Sequence, residues 1–247
     1  MANWSDPRSN IAGFGGTTVA RGEAFDAGLR SYMLSVYNYM ASGVLLTGVV
    51  AMPFSWGGAA SPAAQVFFQP GILKYVIMFA PLAFVMVLSF GIGRLSTVAT
   101  QAIYWAYAAA MGLSLATIFL VYTQTSIAQT FFATAAAFVG LSLWGYTTKR
   151  DLSAFGTFLI MGVVGLLVAS LINLFMRSSA MDMVISFIGV LLFAGLTAYD
   201  TQKIKSIYVH VAGTEMVGKS VVMGALNLYL DFINMFLFLL RFMGNRE

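Results

Sequence analysis

VVMGALNLYLDFINMFLFLLRFM, residues Val221–Met243, is apolar enough to cross a membrane yet holds a carboxylate at its middle. Asp231 follows Val221 by ten residues, about 15 Å along a helix and so near the centre of a hydrocarbon core about 30 Å thick. A charge at that depth costs about 2.5–3.5 kcal/mol on insertion scales, so Asp231 must face protein or water. Asn227, Asp231, Asn234 and Arg241 follow at spacings of four, three and seven and share one helical face. Leu, Phe, Ile and Met cover the other faces. This last helix therefore turns a polar stripe toward the interior of a bundle.

The rest of the chain supplies that bundle. Of 247 residues 60% are apolar and 9% charged, against about a quarter charged in soluble domains, and the mean hydropathy is +0.85. Further apolar runs cover Met33–Phe54, Leu73–Ile92, Thr97–Thr123, Ala128–Tyr146, Ala154–Met176 and Met183–Tyr199. With Val221–Met243 they predict an all-α integral membrane protein, a bundle of seven transmembrane helices. Residues 1–30 read as a polar N-terminal cytoplasmic tail and 31–247 as the membrane domain. The tail has no apolar core of the kind a cleaved signal peptide needs. An uncharged loop, Ser55–Gly71, joins the first two spans, and a longer polar connection, Asp200–Ser220, precedes the last.

The absence of cysteine excludes disulfides, a thiol nucleophile and Cys-ligated metal, and a single histidine, His210, excludes multi-His sites. A net charge of +4 comes from scattered Lys and Arg with no basic patch, so no nucleic-acid partner is expected. The scatter fits the positive-inside rule. With a cytoplasmic N-terminus, Arg8, Arg21, Arg30, Arg94, Lys149, Arg150, Lys203, Lys205 and Lys219 lie inside and Lys74, Arg177, Arg241 and Arg246 outside, nine against four. That places the C-terminus outside after seven full spans; a re-entrant last segment is the alternative. Small residues at four-residue spacing, Ala102, Ala106, Ala110 and Ser114, and the pairs Ala133/Ala137, Ala136/Gly140 and Ala194/Ala198, are expected at helix contacts.

Three charges need more than an anchoring role. Asp200 ends the sixth span, Asp231 sits within the seventh, and Arg94 follows the second. Two carboxylates brought together in a low dielectric cannot both ionise easily and share a proton, which makes a pH switch without histidine. Ionised, they offer hard oxygen to a cation, weakly, since two carboxylates are far fewer than a calcium cage supplies. The plainer alternatives are a solvated interfacial Asp200 beside Lys203 and an Arg94 that only anchors the helix. Asp151 and Asp182 suit helix starts, and His210 reads as a solvated loop residue.

Gly195-Leu-Thr-Ala-Tyr-Asp-Thr-Gln-Lys-Ile-Lys205, followed by Asn227-Leu-Tyr-Leu-Asp-Phe-Ile-Asn-Met-Phe-Leu237, resembles the Bax inhibitor-1 family, and a bacterial member of it. The resemblance implies a last helix surrounded by the other six and a pH-sensitive calcium leak channel, not an enzyme, in a bacterial inner membrane. It matches the family's paired aspartates to Asp200 and Asp231, and its basic partner to Arg94. Calcium is then the transported ion, with no cofactor; membrane lipid and a second membrane protein are the expected partners. Asn227 and Asn234 supply a supporting polar face. The short Gly244-Asn-Arg-Glu247 end lacks a lysine-rich terminus, so regulation through one is not implied. Three other readings stand beside the channel. One is an adaptor or regulator of another membrane protein, such as a quality-control protease. Another is a proton-coupled cation exchanger. The third is an intramembrane aspartyl protease, against which the sequence places Leu228-Tyr229-Leu230 before Asp231 where such proteases have Gly-x-Gly.

Overall fold

The computed structural model describes residues 12–246, with side chains from residue 23 onward. Its helices are α1 (Ala12–Ser55), α2 (Pro62–Phe68), α3 (Leu73–Gly91), α4 (Thr97–Leu115), α5 (Ile118–Val121), α6 (Gln124–Thr147), α7 (Ser153–Met176), α8 (Ser179–Val211) and α9 (Met216–Met243). Seven spans are long and apolar enough to cross a membrane, α4 and α5 forming one of them. Their starts are written in the sequence: the hydroxyls of Ser96, Thr123 and Ser178 accept from the backbone N–H of Ala99, Ser126 and Met181 and cap α4, α6 and α8. The loop expected over Ser55–Gly71 carries α2, capped in the same way by Ser61.

The all-α bundle is as expected, with α9 at its centre. Buried residues make up 67% of its apolar window, against 11% for α3. α1, α4, α6 and α8 pack directly on it, while α3 leans on α4 and α7 on α8. The outer surfaces carry exposed Phe132, Phe158, Leu167, Leu171 and Phe175, an apolar belt that a bilayer covers.

Two contact sets mark opposite faces of the bundle. On one, called here the Arg94 face, Lys219 Nζ donates to the Ile92 carbonyl and the Tyr32 hydroxyl meets Ser220. On the other, the Tyr122 face, Thr123 N donates to the Asn245 carbonyl and Asn245 N to Ser126 Oγ, with an Arg241–Asp182 ion pair nearby. α9 runs unbroken between them for 28 residues. The last segment thus runs from one face of the bundle to the other.

Three expectations change. The polar stretch after Tyr199 is helix, not loop: α8 continues to Val211 and only Ala212–Glu215 connects it to α9. Thr201 and Ile204 are buried there and Thr201 Oγ1 donates to the Thr197 carbonyl, so one face still packs while the other meets solvent. His210 accordingly lies in the last turn of α8 and is exposed. α1 likewise begins before the expected Met33: it is helical from Ala12, and Phe25 and Tyr32 pack their rings on Tyr208 of α8, centroids 5.2 and 5.1 Å away. Residues 1–11 of the expected tail, with Arg8, lie outside the described residues, and of Arg21 only the backbone is described.

The third change concerns the small residues. Ala102, Ala106, Ala133, Ala136, Ala137 and Gly140 are exposed. Of the expected set, Ala198 is buried at a close approach, opposite a glycine outside that set. A Cβ on Gly145 would stand 2.3 Å from the Ala198 carbonyl oxygen, and one on Gly112 would stand 2.6 Å from that of Thr47. These glycines let α6 meet α8 and α4 meet α1 backbone to backbone.

Candidate functional site

Asp231 is 3% exposed. Its own helix cannot satisfy it, because the i−4 N–H groups within a helix are already spent on the backbone ladder. Asp200, on the inner side of α8 and partly buried, stands against it across the α8–α9 contact. Asp231 Oδ2 finds no hydrogen-bond partner among the described residues. Asn234 does not serve the pair, since its Nδ2 donates to the Leu230 carbonyl one turn back at 2.8 Å. Asn227, one turn before Asp231, is partly buried on the same side.

The cation beside the carboxyls is Lys203, whose charge acts on both. It follows Asp200 by three residues and so lies on the same side of α8, with Nζ 5.8 Å from the Tyr199 ring centre. Arg94 is exposed in the turn after α3 and makes no ion pair among the described residues. Along α8 the cation next to Asp200 is Lys203. Asp151 remains a helix-start residue, its Oδ1 accepting from Ser153 N; hydrogen bonds from the Ser153 hydroxyl and then this N–H hold its carboxyl below the ordinary range. Asp182 pairs with Arg241 at the far end of the bundle.

The polar interior continues past the carboxyls. The Tyr37 hydroxyl lies 3.5 Å from Thr201 Oγ1. Two residues before Asp231, the Tyr229 hydroxyl meets Thr47 Oγ1 at 2.6 Å, and Thr47 Oγ1 lies 2.9 Å from the Ala108 carbonyl. The fully buried rings of Tyr104, Tyr107 and Tyr229 pack on one another, with Tyr107 and Tyr229 centroids 5.1 Å apart. The clefts at the two ends of the bundle, one beside Ala64, Phe68 and Phe119 and one beside Lys149 and Lys203, are not lined by Asp200 or Asp231. No third His, Cys, Asp or Glu joins the pair among the described residues. Two facing carboxyls, one buried with an unused oxygen and one partly exposed, form an acidic centre between α8 and α9.

A family described as inhibitor of apoptosis-promoting Bax1 matches residues 29–247. The chain belongs to the Bax inhibitor-1 family. It is 48% identical over 232 residues to an uncharacterised protein of Rickettsia prowazekii, covering 94% of this chain and 96% of that one. It is 47% identical over 224 residues to the inner membrane protein YbhL of Escherichia coli K12, covering 90% and 94%. A Caulobacter vibrioides protein is 43% identical over 233 residues, covering 90% and 92%.

In this Bax inhibitor-1 family member the two stretches that carry the resemblance are the facing segments of α8 and α9. The structure adds residues that the sequence reading passed over. Gln202 uses both ends of its amide: Oε1 accepts from Leu152 N at 2.9 Å and Nε2 donates to the Arg150 carbonyl at 2.8 Å. Lys205 Nζ donates to the Tyr146 carbonyl at 2.9 Å and lies over that ring. Together they tie the α6–α7 turn to α8, beside Asp200. The signal was present, since both residues lie in Tyr199–Lys205, but the reading treated that segment as a solvated loop.

Proposed function

We propose that this membrane protein is a pH-sensitive calcium leak channel gated by the Asp200–Asp231 pair. The observation that carries this is the unpartnered Oδ2 of a buried Asp231 facing a second carboxyl. Sharing one proton, the two side chains latch α8 to α9. Loss of that proton leaves two like charges in a medium of low dielectric, where their repulsion far exceeds its value in water. The helices then part and the freed oxygens meet Ca²⁺. Two carboxylates bind it weakly, which suits conduction, because an ion must also leave.

The proposal extends to setting and class. The protein sits in a bacterial inner membrane, as the name of its relative YbhL has it, with the Arg94 face and the N-terminus in the cytoplasm. We read it as no enzyme: Leu228-Tyr229-Leu230 stands before Asp231 where aspartyl proteases have Gly-x-Gly, which favours a channel over a protease. It needs no cofactor, and its partners are lipid and the transported ion.

The test is Ca²⁺ flux into liposomes holding only this chain, from about pH 6 to 8. Flux should rise with pH in the wild type, flatten in Asp200→Asn and in Asp231→Asn, and change little further in the double variant, because residues acting as one unit are not additive. Absence of flux from the wild-type chain would pass the role to a membrane adaptor. Flux that runs only under an imposed proton gradient would make it an exchanger, and single variants that keep the wild-type pH response would end the switch.

A further inference from the structure

The cleft on the Arg94 face is built for an anion. About 320 Å³ in volume, it lies between the α6–α7 turn and α8 and takes Lys149, Arg150 and Lys203 into its wall, with Ser153 and Ser206 beside them. Its one carboxylate, Asp151, turns to the backbone N–H of Ser153. None of the three cations forms an ion pair among the described residues; Lys149 and Arg150 share the cleft with Asp151 alone, while Lys203 also stands one turn from Asp200.

The cleft is also held rigid. Gln202 fixes the Arg150–Leu152 backbone to α8 through both ends of its amide, and Lys205 fixes the end of α6 through the Tyr146 carbonyl. Three cations on a pinned frame lose little freedom when an anion arrives. Directly beyond Ser153, Phe155 and Phe158 are stacked on the exposed surface of α7, 44% and 66% accessible. A cationic cleft that opens onto an apolar helix face accommodates a ligand with an anionic head and a greasy tail.

We propose that this cleft binds the phosphate headgroup of an anionic phospholipid, whose acyl chains lie along Phe155 and Phe158 of α7. Lys149 and Arg150 hold the phosphate oxygens from the turn and Lys203 holds them from α8. Arginine suits a phosphate by its forked geometry and lysine as a point charge.

The test uses the full chain in nanodiscs of equal phosphatidylglycerol and phosphatidylcholine, with the lipids it retains on release counted by native mass spectrometry. The wild type should retain phosphatidylglycerol in preference. Lys149→Gln with Arg150→Gln should lower that preference about thirtyfold, at about 1 kcal/mol for each of the two charges near the surface. Arg94→Gln, which removes an exposed charge on the same face outside the cleft, should leave it unchanged. Phe155→Ser should weaken retention of the lipid without affecting binding of soluble glycerophosphate. An equal loss in Arg94→Gln would reduce the effect to overall charge, and inorganic phosphate displacing the lipid at low millimolar concentration would make the cleft a site for a soluble anion. Thermal unfolding of each variant separates lost binding from lost fold.

Discussion

The Tyr229 hydroxyl and Thr47 Oγ1, 2.6 Å apart, join the central helix to α1 in a fully buried setting. The two partners are not equivalent. Thr47 also reaches the Gly43 and Ala108 carbonyls, at 3.0 and 2.9 Å, while Tyr229 has Thr47 alone. Tyr229→Phe should therefore cost about 0.5–1.5 kcal/mol, the net worth of one bond, and Thr47→Val more, about 1–3 kcal/mol, because it strands a buried phenol. Thermal unfolding in detergent ranks the two; the reverse order would mean that Tyr229 finds another partner.

Replacing Gly145 with Ala pushes a methyl group into the Ala198 carbonyl, two residues from Asp200. We expect a loss of about 1–3 kcal/mol from overpacking and a leak that depends less on pH, as α6 and α8 are forced apart. Gly140, on the same helix, has nothing within 4 Å of its would-be Cβ. Gly140→Ala should be neutral or stabilising, by up to about 1 kcal/mol of helix propensity.

Lys203 follows Asp200 by one turn of α8, and a cation near a carboxyl favours its ionised form. Without that cation the pair keeps its proton to higher pH, so in Lys203→Gln the rise of Ca²⁺ flux should move to higher pH. Arg94→Gln should leave it in place. The two pH profiles in liposomes decide which cation belongs to the gate.

Gln202→Leu removes both amide contacts to the α6–α7 turn. At about 0.5–1.5 kcal/mol per bond the loss should be about 1–3 kcal/mol, with faster hydrogen exchange over residues 148–153. Gln202→Glu keeps the bond from Leu152 N and loses the donor to Arg150, so it should fall between.

Reporter fusions fix the orientation. Insertions after Thr148 and at Gly213 should report the same compartment, the cytoplasm, and one at Ser61 the opposite one. A cytoplasmic signal at Ser61 would invert the bundle.

The centre of the fold was legible because burying a carboxylate is costly enough to leave a pattern. Asp231 in an apolar run has few places to go, and the spacing of Asn227, Asp231 and Asn234 indicates which way it faces. Where one helix face packs and the other meets water, hydropathy averages the two. The segment Thr201–Val211 therefore read as loop, although Ile204 is 1% exposed. Spacing alone also cannot tell a helix contact from a lipid contact. Ala102 and Ala106 repeat as regularly as a packing motif, but the packed side of α4 belongs to Tyr104, Tyr107, Ala108 and Gly112. Choosing Lys203 over Arg94 required knowing that Lys203 rides on a helix that continues past Asp200.

The hub of the bundle is made after the four helices that pack on it. Until Met216–Met243 leaves the ribosome, α1, α4, α6 and α8 lack the helix that all four pack against. During synthesis they leave a gap where Thr47 and Asp200 face no α9 partner. Assembly therefore waits on α9, which enters a ring already made. A chain stopped before α9 leaves that groove open within the bilayer, a surface for membrane quality control to recognise.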